Sequence, residues 1–233
     1  MPNSTVMLRR LLSFVAPPRC IVCGAAIDSP SQLLCLPCLG ALPRAMIHRM
    51  PSNPVRDILD NAVAPPLLTA AWMNYRHDSP YAHIVRKAKY SSRPSLSRYA
   101  ARLFATELAA DSPEFADIDV LLPVPMYWRK NLGRGFNQAE FVAKGIADVS
   151  RSAIADNLIA VRHHATQTHR SRSERLQNLT GTMKLIAPHE LEGLNIAIVD
   201  DVITTGATLT ECVAAISAAA RPASISAISL AIR

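Results

Sequence analysis

Short unbroken apolar runs alternate along the chain with longer segments whose apolar residues recur at helical spacing. The clearest run is Ile196-Ala197-Ile198-Val199, which suits a strand covered on both faces in a parallel sheet. Residues 119–125 repeat the pattern with Val120-Leu121-Leu122 and end on Pro123 and Pro125, and residues 67–75 read as a further strand. Residues 81–90 and 94–108 read as helices, the first bearing Arg86, Lys87 and Lys89 on its far side. Residues 207–220, rich in alanine and free of proline, suit another. A helix opening near residue 138 has Asn137 close to its N-cap, behind a Gly133-Arg134-Gly135 turn where the backbone can approach a ligand. The implied fold class is α/β, a mostly parallel sheet flanked by helices.

At the N-terminus Leu8, Leu11, Leu12 and Val15 fall on one face of a short helix. Arg9-Arg10 and the apolar residues after it imitate a signal peptide, but the run is at the short limit for one, and Arg19 stands directly before Cys20. No apolar run approaches the roughly 20 residues of a membrane span, so no membrane insertion is expected and the expected location is cytoplasmic. Residues 46–66 carry Pro51, Pro54, Pro65 and Pro66 without a sustained period, as a connecting segment would. The 233 residues then divide into an N-terminal helix and cysteine module at 1–50, a proline-containing linker at 51–66, and one α/β domain at 67–233. That length suits one ordinary core and a small accessory module, not two full catalytic domains.

Cys20 and Cys23, then Cys35 and Cys38, form two Cys-x-x-Cys pairs separated by a short loop, the spacing of a tetrahedral zinc site. A segment this small buries too little apolar surface to hold itself together, whereas structural zinc contributes on the order of 10–16 kcal/mol in small peptides. Disulfides are the competing reading, weakened by the lack of a convincing export signal. Four cysteine ligands leave no open coordination position, so the metal is expected to be structural. Cys212, inside the alanine-rich helix, reads as a small core residue.

Past Val199 the chain continues Asp200-Asp201-Val202-Ile203-Thr204-Thr205-Gly206-Ala207-Thr208. Small residues, hydroxyls and unpaired amides at a helix start favour a bound phosphate. Adjacent carboxylates near the end of a strand can accept from a ribose diol or hold hydrated Mg²⁺. As a generic strand, turn and helix, the same aspartates serve equally well as turn caps. The run lacks the Gly-Lys-Ser/Thr ending of a P-loop and the three glycines of a dinucleotide fingerprint. Pro123-Val124-Pro125, followed by Arg129, Lys130 and Arg134, can hold pyrophosphate or can be a proline-stopped strand before a solvated basic loop. Residues 162–178 are polar and cationic, with Gln167, Arg172, Arg175 and Asn178 read as part of a lid. The hydrophobic fraction of 49% agrees with a globular protein, and a net charge of +7 admits a polyanionic partner.

The run from Ile196 to Thr208 resembles, position by position, the phosphoribosyl-pyrophosphate (PRPP) motif of type I phosphoribosyltransferases. The resemblance implies that Asp200 and Asp201 bind ribose and Mg²⁺, and that Thr204, Thr205, Gly206, Ala207 and Thr208 hold the 5′-phosphate. Together with the cysteine module, Lys89-Tyr90, Pro123-Val124-Pro125, the Arg134-Gly135-Phe136-Asn137-Gln138-Ala139 run and residues 167–178, it makes nearly the whole chain resemble the ComF/ComFC family. These are bacterial proteins with a phosphoribosyltransferase-like domain behind a zinc finger, associated with DNA uptake in natural transformation. The resemblance implies PRPP as ligand, with Lys89, Pro123, Val124, Pro125, Arg129 and Arg134 around its pyrophosphate, and single-stranded DNA and the DNA-uptake machinery as partners. Two functions follow from it: transfer of phosphoribose to an unknown acceptor, or a non-catalytic single-stranded DNA-binding adaptor whose phosphoribosyl site only binds a ligand. Purine-salvage relatives carry an acid in the phosphate loop, where this chain has Thr204 and Thr205, so no carboxylate there can take a proton from a nucleobase.

Overall fold

The computed structural model describes residues 18–29, 32–90, 94–126, 135–161 and 182–233. The expected helix at 8–15, the basic residues Arg129, Lys130 and Arg134, the polar region 162–178 with Gln167, Arg172, Arg175 and Asn178, and the side chain of Lys89 lie outside these.

In chain order the strands are β1 (Thr69–Asn74), β2 (Val120–Pro123), β3 (Ala153–Ile154), β4 (Leu158–Ala160), β5 (Met183–Leu185), β6 (Asn195–Ile203) and β7 (Ser224–Ile232). The helices are α1 (Leu36–Gly40), α2 (Pro54–Leu59), α3 (Ala82–Tyr90), α4 (Ser95–Asp111), α5 (Gln138–Ser150) and α6 (Ala207–Ala219). Five strands form one parallel sheet in the order β1-β7-β6-β2-β3, and β4 and β5 make a separate antiparallel pair.

The unbroken apolar run of β6 is buried on both faces, as its pattern requires. Ile196 and Ile198 belong to the core cluster that holds Leu209, Cys212 and Ile216 of α6. Ala197 and Val199 belong to the cluster that holds Phe104 of α4 and Val142 and Ile146 of α5. Helices α4 and α5 approach closely because small residues line their contact: a Cβ added at Gly145 would strike the Arg98 carbonyl and the Ala101 methyl. Asn137 caps α5 as expected, its Oδ1 accepting from the Ala139 amide at 3.1 Å.

Two elements differ from the sequence expectation. Residues 51–66 contain α2, started by Asn53, whose side chain accepts from the amides of Val55 and Arg56, with Pro54 in the first turn. Six residues are too few to show an apolar period, so only the cap and the proline announced the helix. The second difference is at β6, which runs on through Asp200 and Asp201 to Ile203 because β7 pairs with it to Ile232. The aspartates therefore sit inside a strand, not past its end.

The cysteine segment joins the core of the main domain. Cys20, Ile21, Ile27 and Leu34 share a core cluster with Trp72 and Phe104, and Tyr81 Oη donates to the Cys38 carbonyl at 3.0 Å. Residues 43–45 then run antiparallel along the outer edge of β1, with the Ala45 amide on the Trp72 carbonyl and the Asn74 amide on the Pro43 carbonyl. That pairing covers an edge that would otherwise be open.

Candidate functional site

The chain leaves β2 toward β3 at one margin of the sheet and leaves β6 toward β7 on the other side, so the strand order reverses between β2 and β6. A crevice opens outside the carboxyl ends of two such strands, and open α/β sheets bind their ligands there. Pairing between the two strands stops at Pro123 and Val199, after one more hydrogen bond from the Val124 amide to the Val199 carbonyl. Beyond it β6 continues with only β7 beside it, which leaves Asp200 and Asp201 partly buried at the mouth. Pro123, Val124 and Pro125 are thus brought to the same edge as the two aspartates, although some 75 residues separate them along the chain.

Asp200 lines a concavity of about 30 Å³ with residues 202–209. The Asp201 amide donates to Asp200 Oδ1 at 2.7 Å. Asp200 is also close enough to bear on buried Cys212: burial pushes that thiol up, and the charges of Asp200 and Glu211 add to it. Adjacent carboxylates on extended backbone point to opposite faces, so the pair can grip a ligand and a cation from two directions. Two carboxylates are too few for a closed cage. They match Mg²⁺, which keeps several waters and completes its shell with substrate phosphates.

The loop turns at Gly206, which is the N-cap of α6, with φ +74° and no side-chain cap. The amides of Ala207, Thr208 and Leu209 have no carbonyl partner within the helix. Ala207 has a long contact to Thr205 Oγ1 at 3.5 Å, and Thr204 and Thr205 are exposed. A Cβ at Gly206 would run into Ile58 Cδ1 of α2. Sequence reasoning missed Ile58, because nothing local marks a residue that meets the loop from 148 positions away.

Farther along α6, buried Glu211 accepts from the Thr182 hydroxyl at 2.9 Å and from the Thr182 amide at 3.3 Å. The Val161 amide donates to the Thr182 carbonyl. Val161 and Thr182 are thereby held to each other, with Thr182 tied to the helix that starts at the loop. Of the other expected ligands, Lys89 lies in the last turn of α3.

The four cysteine sulfurs lie within 4.8 Å of one another, and they are the group able to hold a metal among the described residues. No pair of them is bonded as a disulfide. The Cys23 and Cys35 sulfurs are 3.7 Å apart, close to the roughly 3.8 Å edge of a tetrahedron with Zn–S bonds of about 2.3 Å. The first knuckle closes through the Gly24 amide on the Cys20 carbonyl and the Cys20 amide on the Ala25 carbonyl. Burial pushes the Cys20 thiol up, but hydrogen bonds from the backbone at Cys23, Cys35 and Val22 outweigh it and draw it down from 9.0 to about 6. Cys38 is pushed up by burial, by hydrogen bonding to the other three sulfurs and by the charge of Cys20. A divalent cation would stabilise all four as thiolates.

A larger cavity, about 400 Å³, lies elsewhere, between residues 44–49, β1 and α4. Its charges already face one another: Arg44 pairs with Glu107 and Arg49 with Asp111, which is also within hydrogen-bond distance of His48 Nε2 at 2.6 Å. It therefore matches a phosphorylated ligand less well than the crevice does.

The fold and site define a class: a mostly parallel α/β protein with a crevice at a reversal of strand order and a four-cysteine module toward its N-terminal end. The chain is similar to proteins named for competence and DNA utilization. It is 34% identical over 135 residues to DNA utilization protein YhgH of Salmonella typhi, covering 57% of this chain and 59% of that protein. To Competence protein F of Haemophilus influenzae it is 30% identical over 136 residues, with the same shares covered. The chain thus matches about three fifths of the length of these relatives. No model of a known protein family matches it. Among solved structures, a hypoxanthine phosphoribosyl transferase of Trypanosoma cruzi overlaps at a TM-score of 0.35 and 15% identity, over 61% of this chain and 66% of that one. So loose an overlap adds no weight to the strand order and motif geometry.

Proposed function

We propose that the chain binds Mg²⁺ and PRPP in the crevice between β2 and β6 and acts in DNA uptake, as the names of its relatives and its resemblance to the ComF/ComFC family suggest. The observation that carries this reading is the meeting of Asp200 and Asp201, the Gly206 turn and the Pro123 strand end at one switch point. Asp200 and Asp201 accept from the ribose hydroxyls and hold the magnesium, which supplies countercharge to the phosphates. The first amides of α6, with the hydroxyls of Thr204, Thr205 and Thr208, receive the 5′-phosphate. Pro123, Val124 and Pro125 present backbone toward the pyrophosphate, with Lys89, Arg129 and Arg134 as its cationic partners. Gln167, Arg172, Arg175 and Asn178 cover the site.

A second reading keeps the ligand and drops the turnover. It is favoured by the exposed Thr204 and Thr205, which leave the loop without a carboxylate to serve as general base. The crevice then binds a phosphoribosyl ligand while the basic surface binds single-stranded DNA. Incubation with Mg²⁺ and PRPP, alone and with a panel of bases, amines and single-stranded DNA, separates the two. Pyrophosphate release dependent on one acceptor supports the enzyme. Tight PRPP binding without release supports the adaptor, and no PRPP binding at all overturns both.

A further inference from the structure

We propose that Ile58 of α2 is a positioning residue of the phosphate loop, holding Gly206 in the left-handed turn that directs the first amides of α6 toward the ligand; this rests on the reading of that loop as the 5′-phosphate site. A glycine has more conformational freedom than any other residue, and a wall beside one narrows the conformations its loop can take. Ile58 supplies that wall, since its Cδ1 fills the space that a side chain at position 206 would take. Among the described glycines with positive φ, Gly24, Gly135 and Gly193 have nothing within 4 Å of that space. The contact is thus particular to the loop.

The wall itself is firmly mounted. Asn53, 4% exposed, donates through Nδ2 to the Ile47 carbonyl at 3.2 Å and to Thr69 Oγ1 at 3.0 Å, and accepts through Oδ1 from the amides of Val55 and Arg56. These bonds fix the start of α2 to the start of β1. Val55 and Leu59 are buried at 1% and 0% exposure, and the Val63 amide donates to Ser217 Oγ of α6 at 3.1 Å. Ile58, half-buried in the same core cluster, is left facing the loop. A preorganised loop binds a phosphate without first ordering itself, which raises affinity with no new contact to the ligand.

The test compares Ile58→Ala, Ile58→Leu and Gly206→Ala with the wild type, reading Mg²⁺-PRPP affinity by titration and loop amide exchange in ligand-free protein. Ile58→Ala should weaken binding about tenfold and speed exchange at Ala207, Thr208 and Leu209 more than at the rest of α6. Ile58→Leu, which still reaches the glycine, should restore much of both. Gly206→Ala should lose binding, and the loss should be smaller by about fivefold or more when it is made in the Ile58→Ala background, because the two residues share one space. Wild-type affinity and wild-type loop exchange in a folded Ile58→Ala protein overturn the proposal, as do strictly additive effects of the two substitutions. If the wild type binds no PRPP, the reading of the loop fails, and the exchange comparison alone still decides whether Ile58 holds it.

Discussion

Asp200 and Asp201 share a name and a strand, but their surroundings make them unequal. Asp200 lines the loop concavity and bears on Cys212, whereas Asp201 does not line that concavity. Asparagine at both positions keeps the size and one acceptor of each side chain, loses the negative charge, and presents a donor where a diol or a hydrated cation needs an acceptor. Charge-assisted hydrogen bonds contribute about 1.5–3 kcal/mol each, so losing two should weaken Mg²⁺-PRPP binding by about a hundredfold or more. Titration of the double mutant measures the loss, with its melting temperature as the fold control. Near-normal affinity in a normally folded mutant would reduce the pair to turn formers. Of the single changes, Asp200→Asn should show the larger effect on a ligand whose phosphate sits in the loop.

At the scale of elements, two contacts set how the helices meet their neighbours. Gly145 lets α5 lie against α4 at Arg98 and Ala101, and the Arg98 guanidinium pairs with Asp148 across the same contact at 2.6 and 2.8 Å. Gly145→Leu should separate the helices and cost about 1–3 kcal/mol or more, read as a lower melting temperature, whereas Asp148→Asn at the exposed rim should cost well under that. An unchanged melting temperature for Gly145→Leu would mean that the contact yields without cost. The second contact is Asp111 at the end of α4, where hydrogen bonds from Arg49 and then His48 hold the carboxyl down from 3.8 to about 2. A carboxyl depressed on folding adds stability above its unfolded value, and the contribution disappears as pH falls from 3.8 through about 2. Asp111→Asn should flatten the stability curve across that window, measured by acid unfolding. An equal slope in the mutant assigns the acid sensitivity to other carboxylates.

On the scale of the whole molecule, the cysteine cluster and the charge matter most. Ile21, Ile27 and Leu34, which flank the knuckles, belong to the main core, so metal loss should loosen that core as well as the module. Cys35→Ser should lower zinc content and solubility together, checked by elemental analysis and by the melting temperature. A metal-free protein that folds normally would contradict a structural zinc. The net charge of +7 predicts single-stranded DNA binding with little sequence preference and a log-log salt slope of about −0.7 per phosphate contact. Association that ignores salt would remove the electrostatic basis of that expectation.

The sequence by itself determined the kinds of element and the chemistry each could carry. An unbroken apolar run, an N-cap asparagine, a paired-cysteine spacing and an acid pair before a Thr-Thr-Gly turn are local signals, each written within a few residues. It also fixed that Ile196 to Val199 would be buried on both faces, since period reports burial. Period does not name the neighbour, and so the tertiary structure alone decided the rest. Pairing with β7 beyond the end of β2 carried β6 through Asp200 and Asp201. The order β1-β7-β6-β2-β3 put the reversal, and hence the crevice, between two strands far apart in the chain. Folding also brought two cysteine pairs to one point and laid Ile58, from a stretch that reads as a linker, against Gly206. These are contacts between residues distant in sequence, fixed by which faces can be buried together and not by the composition of either partner.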